Sequence, residues 1–173
     1  YILRRFRGNK EAAMINTRIG YGYDMHQLQK GTHIRLGGIQ IDSNYSVVAH
    51  SDGDIVLHSL SDAIYGSLAE GDIGSHFPSN EENKNINSTR ILNHACMLIK
   101  KANFVINNID ITIVIETPYL QPHILDMRKT IARIMSIDIT QISIKSSTSQ
   151  KIGLIGEHKA VACYSTILIS NEK

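Results

Sequence analysis

The chain of 173 residues has no tryptophan, three phenylalanines and only three prolines. Its two cysteines, Cys96 and Cys163, lie far apart in apolar segments and form no Cys-x-x-Cys pair. A disulfide scaffold and a cysteine-built metal knot are therefore excluded, and both thiols read as buried and free in a reducing compartment. No apolar run approaches the roughly 18 residues that a membrane helix needs. Even the stretch Ile111 to Ile115 is closed off by Asp110 and Glu116. No Walker motif is present, so a P-loop is excluded. Charge of one sign is also lacking: the formal net charge is +2. Its basic excess sits in residues 1–17, where Arg4, Arg5, Arg7 and Lys10 face Glu11 alone. The remaining body is close to neutral, so nucleic-acid binding has no electrostatic footprint.

There is no internal repeat, low-complexity segment or interdomain linker, and the length fits one domain. The stretch 1–17 has no apolar h-region and is not a secretory signal. It reads as a disordered basic tail, either an added leader or the remnant of an organelle transit peptide. The domain proper is then 18–173. An apolar share of 42% and a charged share of 20% are those of an ordinary globular protein. Isoleucine is abundant, and its branched Cβ suits strands.

The periodicities predict a strand with two glycines over 18–25, then a short hairpin from His33 to Leu36, turning at Gly37-Gly38, to Ile41. From Asp54 the period becomes helical: Ile55, Leu57, Leu60, Ile64 and Leu68 recur on one side, with Asp52 or Asp54 as cap and Gly71 as stop. Residues 79–87 read as a polar loop. Ser88 caps a second helix, with Ile91, Leu92, Ala95, Cys96 and Ile99 inward. A strand runs from Phe104 to Glu116. Pro118 and Pro122 bound a loop before a third helix with Ile124, Met127, Ile131, Ile134 and Met135 inward. Residues 141–147 and 160–169 are the last strands. The fold class is α/β (α+β): one mixed sheet of four or five strands with helices on one face. The other face needs cover, and Ile142, Ile144, Ala160, Ala162, Ile167 and Ile169 point to a second copy of the chain as that cover.

Four constellations carry chemistry. Asp24-Met25-His26 places a carboxylate and an imidazole on the same side of a strand, where both reach one ion. In His50-Ser51-Asp52-Gly53-Asp54-Ile55-Val56-Leu57-His58, the last histidine lies about one helical turn in, with Asp54 and Asp62 at i−4 and i+4. One of its nitrogens can bind a metal while a neighbouring carboxylate holds the other. Asp24, His26 and His58 together leave a tetrahedral zinc one open position, the catalytic pattern. On spacing alone such residues are more often polar surface or satisfied core groups, and His33, His94 and His158 read that way. The turn Glu70-Gly71-Asp72-Ile73-Gly74-Ser75-His76-Phe77-Pro78 suits a sugar hydroxyl at Asp72, or is a plain helix stop. Lys145 to Gly153 sets hydroxyls between two lysines, as a phosphate would need or as a polar strand end would have.

Taken in order, Arg18 to His26, Leu36-Gly37-Gly38, Ala49 to His58, Gly71 to Pro78, Pro122-His123 with Met127-Arg128, and Lys145 to Gly153 resemble the 2-C-methyl-D-erythritol 2,4-cyclodiphosphate synthases of the non-mevalonate isoprenoid pathway. The resemblance runs from residue 18 to about 169. It implies a homotrimer with active sites between subunits, and a cyclisation of 4-diphosphocytidyl-2-C-methyl-D-erythritol 2-phosphate that releases CMP. Asp24, His26 and His58 match zinc ligands, of which Asp24 and His26 also border the substrate. His50 and Ser51 match contacts to the methylerythritol phosphate. Asp72, Ile73 and Gly74 match the ribose turn, and Phe77 and Pro78 its flap. Thr117, Pro118, Tyr119, Leu120, Gln121, Pro122 and His123 match the cytidine pocket. Ser147, Thr148 and Ser149 match the segment beside the diphosphate, with His50 and Thr148 the catalytic pair. A second ion, Mg2+ or Mn2+, is implied near Gln150.

Three departures from the family stand out. Gln150 replaces a usual glutamate, and a neutral amide is a weaker ligand for a hard cation. Glu157 stands where some bacterial members have an arginine facing an axial cavity for an isoprenoid diphosphate. Ser79 replaces the flap's usual acidic residue. A zinc phosphohydrolase and a trimeric metabolite-binding protein fit the same residues less well; the products separate them. The isoleucine, asparagine and lysine content and the basic tail point to a plastid-type organelle (apicoplast or chloroplast), with a bacterial cytoplasm as the alternative.

Overall fold

Alternating β-branched residues build the sheet, and stripes at helical spacing cover one side of it. The computed structural model describes residues 16–78, 80–83 and 85–171. Most of the basic tail, and Ser79, therefore lie outside the described residues. The order is β1 (Thr17–Lys30), β2 (His33–Leu36), β3 (Ile39–Asp42), β4 (Tyr45–Val48), α1 (Ile55–Leu68), α2 (Ile73–His76), α3 (Ser88–Lys101), β5 (Phe104–Val114), α4 (Ile124–Met135), β6 (Ile142–Ser147), α5 (Gly153–Gly156) and β7 (Ala160–Asn171). Five strands form one mixed sheet in the order β4-β1-β7-β5-β6, and β2-β3 is a separate hairpin. Only β5 and β6 pair in parallel; the other ladders are antiparallel.

Several boundaries differ from the sequence reading. β1 runs on to Lys30 because its second half gains β4 as an edge partner, from Gln27 opposite Val48 to Lys30 opposite Tyr45. That edge strand is too short to give a periodic signal. α1 stops at Leu68 rather than at Gly71: Ala69 takes the left-handed conformation, and its N–H reaches the Gly66 and Tyr65 carbonyls. Asn87, not Ser88, caps α3, accepting from Thr89 N–H. The predicted stripe of α3 is buried throughout.

Glycine decides how closely α1 sits on the sheet. A Cβ at Gly22 would lie 1.8 Å from the Ser59 carbonyl oxygen, and one at Gly20 would lie 1.8 Å from that of Ala63. The helix backbone therefore rests directly on β1. Small residues continue the contact: Ser59 Oγ is 2.7 Å from Ser165 Oγ and 3.1 Å from Cys163 Sγ. Both cysteine thiols are free and buried, as expected, and burial pushes each up to about 12.

Asp54 fastens the start of α1. It is fully buried, and its carboxylate accepts from Val56 and Leu57 N–H as helix cap and from Gly37 and Gly38 N–H in the hairpin turn. Removing it strands buried donors on two elements. Asp54→Ala should cost about 3–5 kcal/mol, a fall of roughly 10 °C in melting temperature. An unchanged thermal melt would contradict this role.

The uncovered face of the sheet is apolar, and of the residues predicted for it Ala160 and Ala162 lie there, opposite Gln27 and Met25 on the Tyr164 side of β7. Ile142, Ile144, Ile167 and Ile169 point into the core beneath the helices. The outer row is Ile19, Tyr21, Tyr23 and Met25 on β1, from 69% to 45% exposed, beside Tyr164 on β7. Tyr23 and Tyr164 pack ring against ring at 5.1 Å. Every second residue of β1 is apolar on this side because the intervening Gly20 and Gly22 serve the helix.

Candidate active site

The close seat of α1 on β1 makes the site. Strand alternation puts Asp24 and His26 on the helix side, in line with Gly20 and Gly22. His58 descends from the first turn of α1 to meet them. His26 Nε2 is 2.9 Å and His58 Nδ1 is 3.1 Å from Asp24 Oδ2. The three ligating atoms lie within 4.8 Å of one another, the one such histidine, cysteine or acidic cluster among the described residues. Burial alone would raise the Asp24 carboxyl, but hydrogen bonds from both imidazoles outweigh it and hold the group at about 2. The same bond to Asp24 raises His26 above the ordinary histidine value. The Val48 carbonyl accepts from His26 Nδ1 at 3.3 Å, which turns Nε2 toward the cluster. Two imidazole nitrogens and a carboxylate oxygen are the donor set of a divalent metal.

The other nitrogen of His58 is held differently from the sequence reading. Neither Asp54 nor Asp62 takes it. Asp54 is fully engaged at the helix start, and Asp62 accepts from Ile73 N–H at 2.8 Å. Burial raises the Asp62 carboxyl, against that hydrogen bond. His58 Nε2 instead lies 2.8 Å from Ser88 Oγ and 3.3 Å from Ser51 Oγ.

A cavity of about 150 Å³ opens onto the cluster, lined by His26, His50, Ser51 and His58 on one side and by Ile73, Phe77, Pro78 and Ile86 on another. Five predicted contact residues thus share one chamber with His26 and His58 of the candidate metal cluster. Asp72 caps α2 with one oxygen, Oδ1, which accepts from Ser75 N–H and Oγ at 2.8 and 2.7 Å. Those bonds lower its carboxyl, so it stays an ionised acceptor. A larger groove of about 730 Å³ lies by Lys100, Asn103 and Asp138. Its thiol, Cys96, stays protonated, and the metal cluster lies elsewhere, so chemistry favours the smaller chamber.

A second cavity, about 170 Å³, sits at the ends of β5 and β6 and is lined by Glu116, Pro118, Tyr119, Leu120, Ser147 and Thr148. Gln121, Pro122 and His123 do not line it; they form the turn leading into α4. Thr117 faces a shallower cleft with Gly31 and Asn44. Gln150 Nε2 donates to Thr148 Oγ1 at 3.1 Å. Glu116, read from the sequence only as the end of a strand, ties down this loop by accepting from Ser149 N–H and Oγ and from Lys151 N–H. The two cavities share no residue. From β1 to β6 is three strand spacings, about 14 Å.

The YgbB family model matches residues 17–170. The chain belongs to the YgbB family. Among its relatives, the 2-C-methyl-D-erythritol 2,4-cyclodiphosphate synthase of Acinetobacter baylyi is 42% identical over 158 residues, 91% of this chain and 97% of that one. The synthase of Idiomarina loihiensis is 41% identical over 155 residues, covering 89% and 98%. Of solved structures, Plasmodium falciparum IspF in complex with CDP superposes with a TM-score of 0.82 at 39% identity, over 91% of this chain and 97% of that one. The bifunctional IspDF of Campylobacter jejuni gives 0.88 at 32% identity, covering 92% of this chain and 44% of that larger one. The mixed sheet with helices on one face is thus the architecture of this YgbB domain, as expected. Among the described residues, no helix is long and apolar enough to cross a membrane.

Proposed function

We propose that this YgbB chain is a cyclodiphosphate synthase. It converts 4-diphosphocytidyl-2-C-methyl-D-erythritol 2-phosphate to 2-C-methyl-D-erythritol 2,4-cyclodiphosphate and releases CMP, a phosphorus–oxygen lyase reaction of isoprenoid biosynthesis. The observation that carries this reading is the Asp24–His26–His58 cluster facing one chamber with His50 and Ser51. Zinc is the ion that this nitrogen-rich set suits. Bound there, it would supply Lewis acidity to a phosphate oxygen.

The chain's own part is positioning and charge compensation, since nucleophile and electrophile are joined in one substrate. His50 and Thr148 donate hydrogen bonds to the charge that develops on the transferred phosphoryl group. Ser51 holds the methylerythritol phosphate. Asp72 keeps Oδ2 for a ribose hydroxyl, beside Ile73 and Gly74, and Phe77 and Pro78 close the chamber. Pro118, Tyr119 and Leu120 receive the cytidine end, and Ser147 and Ser149 lie beside the diphosphate. The two cavities share no residue and belong to strands three places apart in the sheet, so one chain does not present them as a single pocket. A homotrimer in which the apolar row on β1 meets its copies, with each site shared between subunits, resolves this. The bacterial relatives support a bacterial cytoplasm over the organelle reading, which rests on composition and on a basic tail that lies mostly outside the described residues.

Gln150 offers a second cation only a neutral amide, already turned to Thr148. Mg2+ or Mn2+ is then held chiefly by substrate oxygens. Gln150→Glu should lower the Mg2+ concentration for half-maximal rate by about tenfold, and an unchanged titration would remove Gln150 from the second metal. Glu157 forms an ion pair with Lys159 at the surface, which gives an anion on the trimer axis no attraction. The function itself is tested by product analysis: stoichiometric CMP and cyclic diphosphate support it, and an open-chain hydrolysis product refutes it.

A further inference from the structure

Besides its metal-facing nitrogen, His58 carries a second contact that none of the family motifs explains. Ser88, the first residue of α3, is fully buried. Its N–H donates to Asp52 Oδ2 at 3.2 Å, and its hydroxyl donates to Asp52 Oδ1 in a very short bond. A hydroxyl has one proton. With that proton committed to the carboxylate, Ser88 Oγ meets His58 Nε2, 2.8 Å away, as an acceptor. Ser51 Oγ, 3.3 Å from the same nitrogen, is the more distant neighbour. The bond from Ser88 therefore requires a proton of His58 on Nε2, so that Nδ1, which faces Asp24, is the nitrogen left for a metal to claim.

We infer that Asp52 and Ser88 form a buried relay that fixes the tautomer and aim of His58 as a metal ligand. They are positioning residues, since they act through the far nitrogen of His58 and not on the ligating atoms. The relay also joins the site to the loop over it. Asp52 N–H donates to the Ile86 carbonyl, and Asn85 N–H to that of His50, so the strand-to-helix turn, the loop and the start of α3 hold one another. Without the Ser88 hydroxyl, the Nε2 proton loses its near acceptor in a buried place, and the ring gains a reason to carry its proton on Nδ1. That tautomer cannot ligate through Nδ1.

This inference rests on the reading of Asp24, His26 and His58 as a metal site, and two measurements keep them apart. In the metal-free full chain at pH 8, nitrogen-15 NMR of the histidine rings, with His58→Ala for assignment, should find His58 protonated on Nε2. A neutral His58 ring protonated on Nδ1 overturns the relay, whatever the metal does. Zinc titration against a competing chelator should then give Ser88→Ala an affinity about 10–100-fold below wild type, with its His58 proton shifted toward Nδ1. Wild-type affinity in Ser88→Ala likewise overturns it. A wild-type chain that takes up no zinc would sink the metal reading, while the tautomer still decides the relay.

Discussion

Replacing His58 with alanine is expected to remove bound zinc and to slow CMP release by at least about a thousandfold. Positioning of the metal is worth several kcal/mol of transition-state stabilisation, and each 1.4 kcal/mol is about a factor of ten. The loss should be of both together, because Asp24 and His26 alone leave a two-ligand site on one strand. The fold should survive: His58 lies in the first turn of α1, whose anchoring comes from Asp54 and from the glycine contact with β1. Metal content after dialysis, a CMP assay and a thermal melt measure the three separately. Full turnover in a zinc-free His58→Ala protein would refute the ligand role.

Gly22→Ala should do comparable damage from the other side of the contact. Its Cβ would need to stand at least 1.2 Å farther from the Ser59 carbonyl than the 1.8 Å available merely to reach 3.0 Å. The obstacle is helix backbone, which cannot rotate away as a side chain can. The substitution should destabilise the domain by about 3 kcal/mol or more and lift α1, with His58 one residue from the clash, away from Asp24 and His26. Gly66→Ala on the same helix is the control. There the nearest atom is the Tyr21 carbonyl oxygen at an ordinary 3.8 Å, and alanine suits a helix better, so stability should hold or rise by about 0.4–1 kcal/mol. Chemical denaturation and zinc titration of the two variants give the comparison. Equal behaviour would mean that the glycine seat does not position the site.

The candidate metal cluster was legible in part: Asp-x-His on a strand and a histidine one turn into a well-marked helix gave its members locally, and the family resemblance joined them. The hairpin and all three long helices were legible from local signals too, with a turn pair at Gly37-Gly38 and clean stripes on α3 and α4. What could not be read depends on pairings across the chain. The edge strand β4 exists because β1 lies beside it. Ser88 looks like a cap from its position before an apolar stripe, yet the cap is Asn87 and the serine turns inward to His58. Asp54 and Asp62 share a helix face with His58 at the right spacing, but each is claimed by backbone N–H groups from another segment. Glu116 gives no motif at all; its worth appears only when β5 and the loop after β6 end side by side. The outer apolar face was expected, and Ala160 and Ala162 lie on it, but the four isoleucines were misplaced, because a strand that is apolar on both sides does not say which side the helices take.

A crystal of the zinc-loaded protein, with anomalous scattering measured at the zinc edge, tests the central claim most directly. The account predicts one peak per chain, about 2.0–2.2 Å from an Asp24 carboxylate oxygen, His26 Nε2 and His58 Nδ1, with a further position open toward His50 and Ser51. A peak that sits elsewhere, or that engages none of these three side chains, would contradict it.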